Sequence, residues 1–557
     1  MERQALLAAV LCLLVLVVYQ EAVRYFYPAP PPAPREEEDV GAERSPRPLS
    51  SPQAAPAGLE TAEPTGTGTS AGGTITVESD LYSARLTTSG GRLVSFRLKH
   101  FRATVDEASE LLEMIEVAPG AAPPLGARFV ADDGKVEDDT AVAYTADRET
   151  LTLAGAATGT LTLRGTLPSG VPVTKTMEFR GDAYPIAVTL QAGALPASFS
   201  RAGLGWRRHV VDSGRKDPEA SYRGAVVLAN NKVVHELVGA MAPGSQNAFA
   251  APVGWAGYAD HYFLSALVSE DPARAAAVVS PEQDGMQILL TAPRAAGEDG
   301  TTRFTLYVGP KDVEVLELVG HQLARAVDFG WFAILAVPLL KLLKLFHSAT
   351  RNYGVDVILL TIVVKVLFLP LSQKSMKSMR DMQRLQPQMA KLREKFKDDR
   401  ERLNKEMIEL YRRHRVNPLG GCLPMLLQFP VFIGLYQALN QAIELRHARF
   451  ALWVRDLSAH ECYPWPGQVV GGGCNELSML GVPIPVLVIL MGASMLLQQW
   501  LTPSTGMDPA QQRMMMVLMP VMFSVMFVNF PSGLVLYWLV NNVLTIAQQW
   551  WTNRTLA

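Results

Sequence analysis

What this chain has little of narrows its reading before any motif does. Its formal net charge is -2 over 557 residues and only 19% of them are charged, so nucleic-acid binding driven by overall charge is excluded and no direct nucleic-acid specificity is expected. Cysteine is scarce. Of the four, Cys12 and Cys422 fall in apolar runs and read as inert packing, while Cys462 and Cys474 share one polar stretch. His261 has no second ligand or base partner at a readable spacing, so it reads as structural. No metal, cofactor or catalytic residue is expected. No A-x-A-like cleavage site directly follows the apolar run at residues 5–19, so it reads as an uncleaved anchor rather than a signal peptide.

What is present divides by region. Residues 1–27 form the anchor, and residues 28–73, rich in Pro, Ala, Ser, Thr and Gly, cannot bury a core and read as a disordered linker. Residues 74–325 carry short alternating stretches such as "TITVES", "RLVSFRL", "TLTLRGTL" and "IAVTLQA", punctuated by "TSGG" and "LPSG". That pattern predicts a large antiparallel β-sandwich. The cluster "GWAGYADHYF" admits a sugar-binding surface, but aromatics in β-domains are more often core. Beyond residue 350 the chain is apolar in blocks of bilayer length.

The predicted architecture is a polytopic α-helical membrane protein. Spans are expected at 5–19, 355–371, 419–441, 482–501, 514–530 and 533–551, six in all with both termini inside. Residues 326–350, interrupted by Pro338, Lys341 and Lys344, are expected to lie on the outer surface as an interfacial amphipathic helix. The insertion 373–417 holds fourteen Lys and Arg against seven Asp and Glu, so it belongs in the cytoplasm. Its apolar residues recur at three and four around "KDDRE", predicting a two-helix hairpin whose second helix is capped by Asp398 or Asp399. The loop 444–481 then lies outside, where Cys462 and Cys474 form a disulfide or stay as free thiols. Residues 552–557 are a short cytoplasmic tail.

The spans carry polar groups at a cost. Lys365 sits in "TIVVKVLFLPLS" with Thr361 and Ser372 near it on one helical face. Gln428 lies at a similar depth, and Trp538, Asn541, Thr545 and Gln548 recur at three and four along the last span, with Ser494 and Gln498 in the fourth. Such residues serve as interhelical glue or as the wall of a wetted cavity; three stripes, one of them charged, favour the cavity. Met515, Met519, Met522 and Met526 form a second stripe, suited to packing, lipid contact or varied apolar guests.

Several long segments occur in the order of a known family. "HSATRNYGVDVILLTIVVKVLFLPLSQKSMKSMRDMQRLQPQM", "VNPLGGCLPMLLQFPVFIGLYQAL", "FALWVRDLS", "DPAQQRMM" and "FPSGLVLYWLVNNVLTIAQQ" resemble the YidC membrane protein insertases of Gram-negative bacteria. The resemblance implies a five-helix insertase core with a hydrophilic groove open to cytoplasm and lipid, in the inner membrane, beneath a large periplasmic domain. It implies nascent membrane proteins as clients, and the Sec translocon, the ribosome and the bilayer as partners. Lys365, Thr361, Gln428, Trp538, Tyr537, Asn541 and Ser494 then belong to the groove, and Met515, Met519, Met522, Met526 and Phe432 to the face past which clients slide. Lys365 departs from the arginine usual in the family, keeping the charge but losing the planar fork. The C-terminal "WWTNRTLA" is too short for a basic ribosome-binding tail, which leaves that contact to the hairpin and "TPSTGMDPAQQ".

Two rivals are weaker. An ion-coupled transporter would favour an inverted pair of broken helices and an intramembrane carboxylate opposite Lys365, and the sequence offers neither. An anchored sugar-binding domain would need a carboxylate and histidine converging in a pocket.

Overall fold

The computed structural model describes residues 72–557 apart from 107, 118–119, 194, 210–222, 239, 243, 283–284, 295–299, 397–398, 415–422, 464–473, 480–481, 502–508 and 556–557. The anchor at 5–19, the linker and the loop "TPSTGMD" lie outside the described residues. The chain divides into two compact units on either side of Val327 and Asp328.

The first unit is β-rich. All four alternating stretches named above are strands, Thr74–Glu78, Arg92–Arg102, Thr158–Thr166 and Pro185–Gln191. Both turn signals work as expected, since Gly90 and Gly170 adopt φ of 68° and 86°, where a β-carbon is penalised. A nine-stranded sheet and a six-stranded sheet pack face to face, with Val253–Ala259 against Gly285–Pro293. A further five-stranded sheet departs from the antiparallel expectation, because Thr74–Glu78 runs parallel to Thr150–Thr152. Trp255, Tyr258, Tyr262 and Phe263 of the "GWAGYADHYF" cluster are buried, and His261 is buried and stacked on Tyr262 with ring centroids 4.2 Å apart. These aromatics are core rather than a sugar platform. Helix α1 (Val313–Val319), capped by Asp312, follows the last strand.

One charge lies at the centre of this unit. Lys175 is fully buried, and its Nζ donates to Asp139 Oδ2 at 2.6 Å and to the carbonyls of Gly90, Gly91 and Leu125. Burial pushes the Lys175 ammonium down from the ordinary lysine value, and Asp139 pulls the other way. With an anion and three carbonyls around it, the ammonium has the partners a buried charge requires.

The second unit is helical: α2 (Ala333–Thr350), α3 (Tyr353–Leu367), α4 (Leu369–Arg384), α5 (Gln386–Lys395), α6 (Arg400–Arg413), α7 (Leu423–Gln441), α8 (Val486–Leu501), α9 (Pro509–Phe527) and α10 (Ser532–Thr555). Pro338 does not interrupt α2. Ala336, Leu340 and Leu343 form its buried stripe, whereas Trp331, Ile334 and Leu345 are exposed. With its leading 3-10 turn, this stretch is long and apolar enough to cross a membrane by length and composition, whereas the sequence reading expects it at the outer surface.

The expected span 355–371 does not end where hydrophobicity ends. The helix breaks at Phe368 and resumes in α4 at an angle of 59°. Pro370 is the cause, since it has no N–H to give to the carbonyl four residues back and its ring crowds that carbonyl. The chain thus has a bent helix pair that the sequence reading missed. Pro387, in the first turn of α5, marks the boundary between α4 and α5, so among the described residues the hairpin region holds three helices where two were expected. Its closing turn matches expectation: Asp399 accepts the Arg402 amide at 3.0 Å, and Tyr411 on α6 reaches the Met389 sulfur on α5 at 3.6 Å. Asp398 lies outside the described residues.

Candidate functional site

The expected groove residues divide into three groups. The first is centred on Lys365. Its Nζ donates to Thr545 Oγ1 at 2.6 Å and lies 3.5 Å from Asn541 Oδ1, both on α10. About one turn beyond Thr545 along this seam, Gln548 donates to Ser372 Oγ at 2.7 Å. The three- and four-residue spacing of Asn541, Thr545 and Gln548 is what points them at one neighbour. Lys365 is half-buried, and among the described residues no carboxylate lies within ion-pair distance of it.

The second group joins α7 to α10: the Gln428 amide donates to the Tyr537 hydroxyl, and Tyr537 is 1% exposed. The third joins α8 to α10, where Asn542 donates to Ser494 Oγ at 3.0 Å, with both residues buried. Ser494 therefore acts as glue between helices and does not reach the Lys365 stripe. Thr361 is also drawn away. It is 1% exposed and its hydroxyl donates to the Val357 carbonyl of its own helix at 2.6 Å. A β-branched hydroxyl on a helix reaches the carbonyl four residues back more easily than a neighbouring side chain.

Trp538 departs from its stripe. Its ring meets Phe432 edge-on at 4.9 Å and lies within about a ring's reach of Phe523 and Phe527, at 6.1 and 5.1 Å. Among the described residues its Nε1 has no hydrogen-bond partner. Phe432 thus belongs to an aromatic cluster with Trp538. On α9, Met519 is half-buried, and Met522 and Met526 are exposed at 45% and 46%; the side chain of Met515 lies outside the described residues.

The loop after α7 is a scaffold that sequence reasoning missed. Cys462 and Cys474 are disulfide-bonded with Cα atoms 5.3 Å apart. Beside them Asn475 is 3% exposed; it accepts the amides of Arg455 and Asp456 and donates to the Asp456 carbonyl and to Ser532 Oγ at the start of α10. Glu461 is 1% exposed and accepts the Trp453 indole and the amides of Leu487 and Val488, so it caps α8. A carboxylate at a helix N-terminus satisfies free amides and opposes the positive end of the dipole. The available signal was a Glu and an Asn flanking the two cysteines.

Asp356, in the first turn of α3, is a second omission. It is fully buried and held by His347 Nδ1 at 2.9 Å and by the Thr350 hydroxyl. A carboxylate does exist in the Lys365 helix, but it sits nine residues away, roughly 13 Å along the axis at 1.5 Å per residue. It has its own partners and is not the counter-ion a transporter would place opposite the lysine.

Comparison with known proteins agrees across both units. The family model for the YidC periplasmic domain matches residues 74–342, and that for the 60Kd inner membrane protein matches 345–557. The membrane protein insertase YidC of Geobacter metallireducens is 38% identical over 100% of this chain and 99% of its own length. That of Geotalea daltonii is 36% identical over 100% of both. A crystal structure of an active YidC insertase covers 89% of this chain and 94% of its own at 17% identity, with a TM-score of 0.37, and adds nothing to the assignment. Two family models in order and identity above one third along the full length leave one conclusion: the chain belongs to the YidC family of membrane protein insertases.

Proposed function

We propose that this protein inserts and helps fold nascent inner-membrane proteins by admitting their polar segments to the stripe around Lys365. It is an insertase, not an enzyme. The supporting observation is that, among the described residues, the hydrogen-bond partners of Lys365 are the neutral groups of Thr545 and Asn541. An uncompensated cation below the surface attracts an acidic translocated segment, and neutral partners release it once the segment has passed. Water and polar side chains along Ser372, Gln548, Thr545 and Asn541 replace part of the hydration that the segment would lose in hydrocarbon. Gln428 and Tyr537 extend this wall, and the exposed Met522 and Met526 give the apolar part of the client an adaptable surface on its way to lipid.

In this reading the chain crosses the membrane six times, counting the anchor at 5–19, with both termini in the cytoplasm. Helices α4 to α6 form the cytoplasmic basic hairpin and, with residues 502–512, face the ribosome. The Sec translocon is a partner for some clients. Helix α2 lies at the outer surface, its place supported by the ion pair between Lys344 and Glu444 at 2.6 Å. The scaffolded loop at 444–481 and the β-rich unit are periplasmic.

The test is insertion of a client with an acidic outer segment in cells depleted of the native insertase. Lys365→Arg is expected to support it and Lys365→Glu to impair it. Equal insertion by wild type and Lys365→Glu would remove the charge from the mechanism. Photocrosslinkers at Gln428 and Met519 are expected to capture a stalled nascent chain, and silence at both positions would overturn the path.

A further inference from the structure

Outside the groove, one turn of the helical unit holds a leucine out in the open. Residues 448–457 form a short hairpin, in which the Leu457 amide donates to the Ala448 carbonyl at 3.0 Å and the Phe450 amide to the Val454 carbonyl at 3.1 Å. Its tip is the turn Ala451–Val454, closed by the Val454 amide on the Ala451 carbonyl at 3.1 Å. Leu452 occupies the first central position of that turn with φ of 54°, where glycine, asparagine or aspartate ordinarily stands. It is 88% exposed. A large apolar side chain is thus held in a penalised backbone conformation and left almost wholly uncovered, so packing within the chain does not account for it.

Both arms of the hairpin are tied to helix starts. The Leu457 and Ala459 carbonyls accept the Gly533 and Ser532 amides at 2.9 and 2.8 Å, in the first turn of α10. On the other arm Asn352, the N-cap of α3, donates its side-chain amide to the Phe450 carbonyl at 3.1 Å. The Phe450 ring also covers Gly354, where a β-carbon would collide with it. The hairpin therefore lies across the starts of α10 and α3, and Leu452 stands two residues past the Phe450 tether. Two residues reach at most about 7 Å, and the interfacial layer on one side of a bilayer is about 5–8 Å thick. A turn tied to the first residue of a membrane helix keeps its tip at the depth of that layer. Val355, Ile362 and Val366, seven and four residues apart on α3, form an exposed apolar stripe that begins beside the Phe450 contact. Arg449 and Arg455, which flank the tip, are exposed as well.

We propose that this turn is an interfacial wedge on phospholipid: Leu452 enters the boundary between headgroups and acyl chains, and Arg449 and Arg455 lie against lipid phosphates. The inference rests on the reading that α3 and α10 begin at the outer surface of the membrane. An apolar tip bracketed by arginines suits that boundary, because the leucine leaves water while the guanidinium groups keep polar, anionic neighbours. Lipid is favoured over a protein partner because the α3 stripe, the surface that meets acyl chains, starts at the residue next to the hairpin's tether.

The experiment is power-saturation electron paramagnetic resonance on the full chain in liposomes of phosphatidylethanolamine and phosphatidylglycerol, with a nitroxide on Leu452→Cys. Cys12→Ser and Cys422→Ser leave the introduced thiol as the label's target, since Cys462 and Cys474 are bonded to each other. Labels on Ile362→Cys, in the α3 stripe, and on Ala156→Cys, in an exposed turn of the β-rich unit, mark the acyl-chain and water limits. The ratio of oxygen to nickel-chelate accessibility at Leu452→Cys is expected to exceed that at Ala156→Cys at least threefold and to stay below that at Ile362→Cys. Exchanging phosphatidylglycerol for phosphatidylcholine, or adding Arg449→Gln with Arg455→Gln, is expected to lower it about twofold; the lipid exchange gives this readout with both arginines in place. A water-like ratio at Leu452→Cys with a deep Ile362→Cys label would overturn the wedge alone. A water-like ratio that rises only when the Sec translocon is added assigns the turn to a protein partner and overturns the wedge too. A water-like ratio at Ile362→Cys would overturn the placement of α3, and the wedge with it.

Discussion

Lys175 and Lys365 sit in the two units of one chain, and each is a lysine in apolar surroundings. Lys175 has Asp139 and three carbonyls, is fully buried, and belongs to the stability of the β-rich unit. Lys365 has a hydroxyl and an amide oxygen, is half-buried, and has no carboxylate within ion-pair distance among the described residues. A buried cation with an anion beside it is a structural element, since its field is cancelled where it arises. A cation held by neutral groups keeps its field, and that field is available to a passing anion. Under the proposed function, the contrast separates a charge that holds a fold together from one that acts on a client.

The comparison can be broken or sharpened experimentally. Lys175→Met should have the largest effect, destabilising the β-rich unit by about 3–5 kcal/mol because Asp139 loses its closest partner in the interior. Thermal unfolding of the full chain followed by β-sheet circular dichroism measures it, and an unchanged melting temperature would deny Lys175 its structural role. Glu461→Ala is next, at roughly 1–3 kcal/mol, for it leaves the indole of Trp453 and two amides of α8 without their buried acceptor. Accelerated hydrogen exchange at Leu487 and Val488 is the expected sign.

Lys365→Glu should change function more than stability. A tenfold fall in insertion of acidic clients corresponds to about 1.4 kcal/mol, with clients lacking acidic outer segments much less affected. An equal loss for both client types would make Lys365 structural, like Lys175. Ser494→Ala should do least, at about 0.6 kcal/mol, the average for a hydrogen bond between membrane helices. Full insertion activity with a slightly lowered melting temperature is expected. A marked insertion defect would return Ser494 to the groove.

The strands of the β-rich unit were legible because alternation and turn chemistry are local: "TITVES" and "LPSG" need no distant partner to declare themselves. Lys365 was legible for a related reason, since a charge in an apolar run is conspicuous at once. Its neighbours were only partly so. Helical spacing put Trp538, Asn541, Thr545 and Gln548 on one stripe, yet Trp538 turned to Phe432 and Phe527, because an aromatic ring gains more from other rings than from a polar seam.

Sequence alone therefore determined the division into a β-rich and an apolar helical part, the family, and the presence of a charge that needs explanation. The tertiary structure decided what each polar residue meets. It gave Thr361 to its own helix, Ser494 to Asn542, Asp356 to His347 and Glu461 to the end of α8. The physical reason is reach. Periodicity fixes the face of a residue within its own element, whereas the partner on that face is set by packing between elements distant in the chain.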